Sequence, residues 1–247
     1  LVPFSWAGIE SIAKTPEQIA LDQKIKTCMA SLKETGVVQA DDEILYRYCE
    51  TQILSKGLRK GRLAKRILNE RSTELNPFVI TPHKQSYILP ITVSDNFNRD
   101  PYDFNDNYQK EMEHFEAKYQ ISFKVPLRSS SLFLAGDGLY FAMTIQAWWQ
   151  LYADEISKPF RETNYTPEIF YVLPLAWQPF DGNMAASIHF EHQSNGQNQL
   201  LSRSWNRIHL SMVYERDDFA IAFKPWYRVP ETAKTDPLEP RGDDNPD

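Results

Sequence analysis

The chain has 247 residues, a formal net charge of −6 and a mean hydropathy of −0.51. That balance lacks the basic footprint of a nucleic-acid-binding surface, and no run reaches the roughly 20 apolar residues that a membrane helix needs. A transmembrane β-barrel escapes this exclusion, because its lipid-facing and lumen-facing residues alternate and average to a polar composition. The chain begins at Leu1 without an initiator methionine and stops at Asp247 in a polar stretch, which reads as a piece of a longer protein.

Residues 1–75 read as a polar helical segment. Thr15-Pro16-Glu17-Gln18 offers an N-cap, a proline at the first helical position and a glutamine able to reach back to the cap. Leu21, Ile25, Cys28 and Leu32 then recur at spacings of three and four. After Glu34-Thr35-Gly36, Asp41 or Asp42 caps a second helix with Leu45, Cys49 and Ile53 as its stripe. Each cysteine lies on its helix's apolar face. The two either pair in an oxidising compartment or act as small buried hydrophobes, and the sequence leaves both open. Between Lys56 and Arg71 stand seven basic residues interleaved with Leu58, Leu63, Ile67 and Leu68. This suits an anionic lipid surface, but a solvated charged face is the simpler reading.

Residues 76–247 form the second region, and there the period changes to two. Tyr87, Leu89, Ile91 and Val93 share one parity. Asp95 to His114 is rich in Asp and Asn and reads as a long loop. Tyr119, Ile121, Phe123, Val125 and Leu127 alternate with Lys118, Gln120, Ser122 and Lys124, the cleanest run in the chain. Leu139 to Leu151 continues the pattern, with Thr144, Gln146 and Trp148 on the polar side. Ile169 to Trp177 follows, then a hairpin around residues 192–206, and finally Phe219, Ile221 and Phe223. About seven strands of roughly 8 to 13 residues result, long enough to cross a bilayer when tilted. A soluble sandwich or lipocalin-like barrel has the same alternation. Aromatics near strand ends, such as Tyr119, Trp149, Trp177 and Trp226, and long loops alternating with tight turns such as Phe180-Asp181-Gly182-Asn183 favour the membrane. The expected fold is therefore all-β, an antiparallel transmembrane β-barrel preceded by a helical segment. Seven strands alone would leave open edges in lipid, so more must follow Asp247.

The hairpin carries the chemistry. Ile188, Phe190 and His192 share one parity on its first strand, and Asn206, Ile208, Leu210 and Met212 share one on its second. His192, Asn206 and Ser194 thus fall on the apolar-facing side in one row, the nucleophile, base and orienter of acyl transfer. An unpartnered imidazole on a lipid-facing side is costly, so His192 needs a partner there. Gly196 lets the backbone approach a substrate and offers its N–H as an oxyanion donor. Ser202 and the carbonyls of the Ser194-to-Ser204 loop are hard oxygen ligands of the kind Ca²⁺ takes. His189 and His209 fall on the polar parity, where lumenal hydrogen bonding explains them. His83 and His114 lie in loop-like sequence without a partner signature, and no zinc spacing, P-loop or dinucleotide fingerprint is present.

These residues resemble the outer membrane phospholipase A family of Gram-negative bacteria. The resemblance rests on H-Q-S-N-G at 192–196, S-R-S-W-N-R at 202–207, P-F-R-E-T-N-Y at 159–165, K-P-W-Y at 224–227 and D-D-N-P-D at 243–247, and it covers about residues 76–247. It implies a twelve-stranded barrel in the bacterial outer membrane, of which this chain would hold about seven strands. It also implies calcium-dependent hydrolysis of phospholipid and lysophospholipid esters, with A1 and A2 activity, by a homodimer. Carried over by motif, Ser194 is the nucleophile, His192 the base, Asn206 the third member and Gly196 an oxyanion donor. Calcium would be held by the Ser202 hydroxyl and the Gln197 carbonyl, with the Ser157 carbonyl arriving from the second subunit. Where members carry Asp, Arg and Asp, this chain has Gln193, Gln197 and Gln199. The last exchange puts a second calcium site in doubt, although Asp244 matches its other carboxylate. A glutamine at the family's dimer contact aligns with Ile145, which leaves dimer strength open. The alternative is a catalytically silent porin-like or structural barrel. The bulky inward parity of Trp148, Phe170, Trp205 and Trp226 speaks against an open pore.

Overall fold

The computed structural model describes residues 15–34, 41–58, 61–73, 76, 79–96, 98–99, 102, 106–128, 132–134, 136–175, 177–197 and 202–230. Three helices come first: α1 (Pro16–Glu34), α2 (Asp42–Ser55) and α3 (Arg62–Thr73). The cap of α1 is reciprocal: Thr15 Oγ1 accepts from Gln18 N at 3.3 Å and Gln18 Oε1 accepts from Thr15 N at 2.8 Å. Asp41, rather than Asp42, caps α2 by accepting from Glu43 N. Leu21, Ile25 and Cys49 form the buried contact between α1 and α2. The choice left open for the cysteines falls to a Cys28–Cys49 disulfide with a Cα separation of 5.9 Å.

The basic stretch is not a uniformly solvated face. Arg66 and Arg62 stay at the surface, but Arg71 is 11% exposed and donates to the carbonyls of Gly136 and Asp137. The first free N–H groups of α3, those of Leu63 and Ala64, point at the buried Glu215 carboxylate, an anion where the helix dipole favours one. Gly61 has no Cβ because one would strike that carboxylate.

The remainder is one antiparallel sheet: β1 (Thr81–Pro82), β2 (Tyr87–Val93), β3 (Phe115–Pro126), β4 (Gly138–Trp149), β5 (Phe160–Leu175), β6 (Asn183–Ser194), β7 (Ser204–Arg216), β8 (Phe219–Phe223) and β9 (Trp226–Val229). Consecutive strands from β3 to β7 pair side by side. β1 and β2 together line one edge of β3, and β8 and β9 together line the far edge of β7. The sheet therefore has seven lanes, curled as part of an antiparallel barrel. Its principal strands have 12 to 16 residues, more than the ~9–11 that a tilted transmembrane strand requires. No described helix is long and apolar enough to cross a membrane. Among its described residues, the expected loop at Asp95–His114 includes a short helix, α4 (Asp106–Glu111).

Period two places apolar side chains outside and polar ones inside. Ile121, Val125, Ile169, Ile188, Phe190 and Ile208 are exposed, while Glu116, Ser122, Thr144, Glu168, His189, Glu191 and His209 are buried. A water-soluble barrel has the reverse arrangement. One expected parity fails. Tyr87 and Leu89 pair with the inward Gln120 and Lys118, and the register then shifts by a bulge before Thr92, so Ile91 and Val93 face outward instead of sharing their side. Pro90, which has no N–H for the ladder, sits inside that shift. β4 and β5 also end at Trp149 and Leu175, short of Leu151 and Trp177. Gln150 turns inward to bond Glu113 and Glu116.

Inside, charges meet charges. Arg161 donates to both oxygens of Glu116 at 2.7 and 2.9 Å. Glu168 accepts from His83 at 3.0 Å and contacts His189, and Lys84 bridges Glu168 and Glu191 at 3.2 and 2.6 Å. His83 thus has a partner that its loop context did not disclose. His114 similarly donates through Nδ1 to the Ser94 carbonyl. The two ends of the sheet differ. Residues 127–128, 132–134, 136–137, 177–182 and 217–218 lie at one end, where α2 and α3 dock through Arg47, Arg71 and Glu215. Residues 150–159, 195–197 and 202–203 lie at the other end.

Reducing Cys28–Cys49 is expected to weaken the α1/α2 pair by about 3 kcal/mol, the loop-closure value for a loop of this order. Circular-dichroism melts with and without reductant check this, and the heat-modifiable gel migration of the barrel should not change. Burial raises the Glu70 carboxyl's proton affinity, but hydrogen bonds from Arg66 and Lys124 outweigh it and hold the group below the usual carboxylate range. A carboxylate so depressed stabilises the fold above its unfolded pKa of about 4.3, and that contribution is lost as pH falls through the lower folded value. Glu70→Gln should therefore flatten the acid limb of α3 detachment, read by protection of its amides from hydrogen exchange.

Candidate active site

β6 and β7 run in register, with His192 opposite Asn206 and Ser194 opposite Ser204. Opposed residues share a face, and this face also carries the exposed Ile188, Phe190, Ile208 and Leu210. The pair thus sits on the outer, apolar wall, near the end of the sheet away from the helices. His192 Nδ1 and Asn206 Oδ1 lie 2.8 Å apart. With the amide oxygen as acceptor, Nδ1 carries the imidazole proton and Nε2 is left with a free lone pair. That tautomer is the one a general base requires.

Ser194 ends β6 on the same face, two residues beyond His192. Its Oγ accepts from Gly196 N at 3.1 Å. Among the described residues it makes no hydrogen bond to His192. The two side chains lie within reach of one another along the strand, and contacts of this kind often close only with substrate bound. On the other flank Ser194 pairs with Tyr165 of β5. The β5–β6 pairing is interrupted beside His192, where Pro167 lacks the N–H that the ladder would use.

The loop after Ser194 is built on a residue that the sequence did not single out. Asn195 is 4% exposed, and its Oδ1 accepts from both Gln197 N at 3.2 Å and Arg203 N at 3.1 Å, while its own N–H bonds the Arg203 carbonyl. The signal was an Asn placed to form an Asx turn, hidden between two candidate catalytic residues. This staple holds the Gln197 and Ser202 ends of the loop near each other. Both offer hard oxygen donors and neither offers nitrogen or sulfur, a donor set that fits Ca²⁺. Gly196 has φ of +67°, a left-handed backbone that glycine adopts freely. Ser157, also left-handed with φ of 49°, lies in the β4–β5 loop at the same end of the sheet. Trp149 Nε1 ties this loop down through the Lys158 carbonyl at 2.8 Å. Ile145 lies on β4 between Ile121 and Tyr165 on the outer face. Gln199 and Asp244 lie outside the described residues, and so does the D-D-N-P-D motif.

A family model for phospholipase A1 matches residues 63–247. The chain belongs to the phospholipase A1 family. The match starts inside α3, earlier than the resemblance by motif, which began at about residue 76. Phospholipase A1 of Klebsiella pneumoniae is 33% identical over 195 residues, covering 76% of this chain and 60% of the relative. That of Proteus vulgaris is 32% identical over 179 residues, covering 70% and 58%. The chain thus spans about 60% of the length of the curated relatives it matches. A solved structure of outer membrane phospholipase A from Escherichia coli superposes with a TM-score of 0.57 at 30% identity, covering 63% of this chain and 64% of that one. A Salmonella typhi outer membrane phospholipase, described as a dimer with bound calcium, gives 0.57 at 28% identity over 64% and 61%. Together with the inside-out sheet, membership of this phospholipase family assigns the chain to the bacterial outer membrane.

Gly196→Ala tests the loop. A Cβ there would meet Tyr165 only at an ordinary 3.6 Å, so space is not limiting. The cost comes from the positive φ, about 1 kcal/mol. A shift of that size in the urea midpoint of the folded barrel is expected, with a larger loss of activity if the Gly196 amide serves the reaction.

Proposed function

We propose that the protein is a calcium-dependent phospholipase A that cleaves acyl esters of phospholipids and lysophospholipids by a Ser194–His192–Asn206 triad. The observation that carries this reading is the His192–Asn206 hydrogen bond, made on the lipid-facing wall beside Ser194. An Escherichia coli relative solved as an active-site mutant with an asparagine replaced by alanine supports the role given to Asn206.

In this mechanism Ser194 Oγ attacks the ester carbonyl carbon and gives its proton to His192 Nε2. Collapse of the tetrahedral adduct expels the alcohol oxygen of the lysophospholipid, which takes that proton. Water then repeats the sequence on the acyl-serine, releasing fatty acid and restoring Ser194. Asn206 keeps the imidazole in its reactive tautomer throughout. As a neutral amide it orients the ring more than it stabilises the imidazolium. Gly196 N–H, already directed at Ser194 Oγ, is the local donor for the oxyanion. Calcium, when bound, supplies positive charge near the carbonyl oxygen. The Ser202 hydroxyl and the Gln197 carbonyl would hold it, with the Ser157 carbonyl of a second copy of the chain completing the set in a homodimer. The apolar rows flanking the site, Phe190 and Ile208 among them, face the acyl chains of membrane phospholipid, its substrate.

Fatty-acid release from mixed phospholipid micelles by the whole protein, with Ca²⁺ or EDTA, tests this. Ser194→Ala should lower kcat by about 10⁴-fold or more, Asn206→Ala by about 10²-fold, and EDTA should abolish the wild-type rate. Release that Ser194→Ala leaves untouched would remove the nucleophile, and an inert wild type would favour the silent barrel.

A further inference from the structure

Opposite the catalytic face, β5, β6 and β7 bring three side chains together on the inner wall. Phe170 stands opposite His189 and Glu168 opposite Glu191 across β5 and β6, and His189 stands opposite His209 across β6 and β7. One ligand atom each from Glu168, His189 and His209 lies within 4.8 Å of the others, and all three residues are buried. His209 Nε2 is 3.6 Å from Glu168 Oε1 and 3.8 Å from Glu191 Oε2. His209 is 3% exposed, and among the described residues neither of its ring nitrogens has a hydrogen-bond partner. An imidazole buried with both nitrogens unsatisfied is expensive, and its environment supplies what would satisfy it. We propose that this cluster is a lumenal site for a borderline divalent transition metal of the zinc class, held by Glu168, His189 and His209, and distinct from the oxygen-lined calcium loop on the outer wall.

The donors argue for that class of ion. Two imidazoles and one carboxylate suit zinc and its neighbours, whereas calcium and magnesium take oxygen alone. Bonds of about 2.0–2.1 Å in a tetrahedron set ligand atoms roughly 3.3 Å apart. His209 Nε2 therefore stands a few tenths of an ångström too far from Glu168 Oε1, while the shorter hydrogen bond between His189 Nδ1 and Glu168 Oε1 opens as the ion replaces its proton; both are side-chain adjustments. The supporting contacts match those of a metal site. His189 Nε2 lies 2.7 Å from Ser187 Oγ, so the ring's proton can reside on Nε2 and leave the Nδ1 lone pair facing Glu168 and the ion. Glu168 turns Oε1 toward the two imidazoles, while Oε2 accepts from His83 at 3.0 Å and lies 3.2 Å from Lys84. Lys84 is drawn closer to Glu191, at 2.6 Å, so its charge is partly compensated away from the ion. Phe170, His189 and His209 stack with centroid separations of 4.8 and 4.1 Å, which pre-orients both rings. Metal there would pin three adjacent strands at mid-height.

The test uses the whole protein folded in detergent, stripped with chelator and dialysed. Zn²⁺ alone is titrated calorimetrically, and Co²⁺ alone is followed by its visible d–d absorption. One saturable ion per chain is expected, with affinity at least tenfold weaker in His209→Phe and in His189→Phe. Both variants keep a ring in the stack, and His114→Ala, on the exposed rim, should bind as wild type. If His209→Phe does not reach the heat-modifiable folded form, His209→Gln takes its place. Excess Ca²⁺ should not displace Zn²⁺. No saturable binding, binding unchanged in the His209 and His189 variants, or displacement by Ca²⁺ would each overturn the proposal. Because the readout is metal binding, its failure leaves the phospholipase reading untouched, and the reverse holds.

Discussion

Glu168 is a carboxylate 2% exposed in the middle of a sheet whose other face is apolar, and it persists because His83, Lys84 and His189 surround it. Burying such a charge without partners would cost several kcal/mol. The requirement extends along the interior, where Glu116 is held by Arg161 and Asp137 by three backbone N–H groups and Tyr171. Satisfied polar groups inside release the outer face to be largely apolar, and that face is what allows the strands to lie in lipid. The interior network and the membrane-facing exterior are consequences of a single alternation.

The catalytic candidates sit where this alternation is locally broken. His192 occupies an outward position that its neighbours Phe190 and Ile188 fill with hydrocarbon. A carboxylate orienter there would place a full charge against the lipid boundary. Asn206 instead supplies an acceptor without net charge. In the proposed triad the neutral amide would trade imidazolium stabilisation for a lower desolvation cost, and bound calcium would offer the positive field that the residues alone lack. In the proposed reaction, the location near the end of β6 would give the row both an apolar approach for acyl chains and a polar loop for the ester and headgroup.

The two ends of the sheet divide the work. At the end bearing Asn195 and Arg203, Asn195 bonds the backbone of Arg203 just before β7, beside Gly196, and Trp149 anchors the facing loop. At the opposite end, α3 caps itself on Glu215, and Arg47 and Arg71 hold α2 and α3 against the carbonyls of Arg128, Gly136 and Asp137. The helices thus cover the lumenal end remote from the candidate site. The family match, which begins at residue 63 within α3, includes that docking helix with the strands.

Much of this was legible in the residues themselves. Alternation revealed the strands, their lipid-facing parity and the shared side of Ser194, His192 and Asn206, because side-chain direction along a strand is set by local geometry alone. The caps of α1 and α2 were readable for the same reason. Tertiary structure decided what depends on partners distant in the chain. The Cys28–Cys49 bond needed two helices to pack, and the reversal of Tyr87 and Leu89 needed the pairing of β2 with β3 around Pro90. The meeting of Glu168, His189 and His209 could not be read as a motif. Each comes from a different strand, and only the register of three neighbouring strands brings their ligand atoms together.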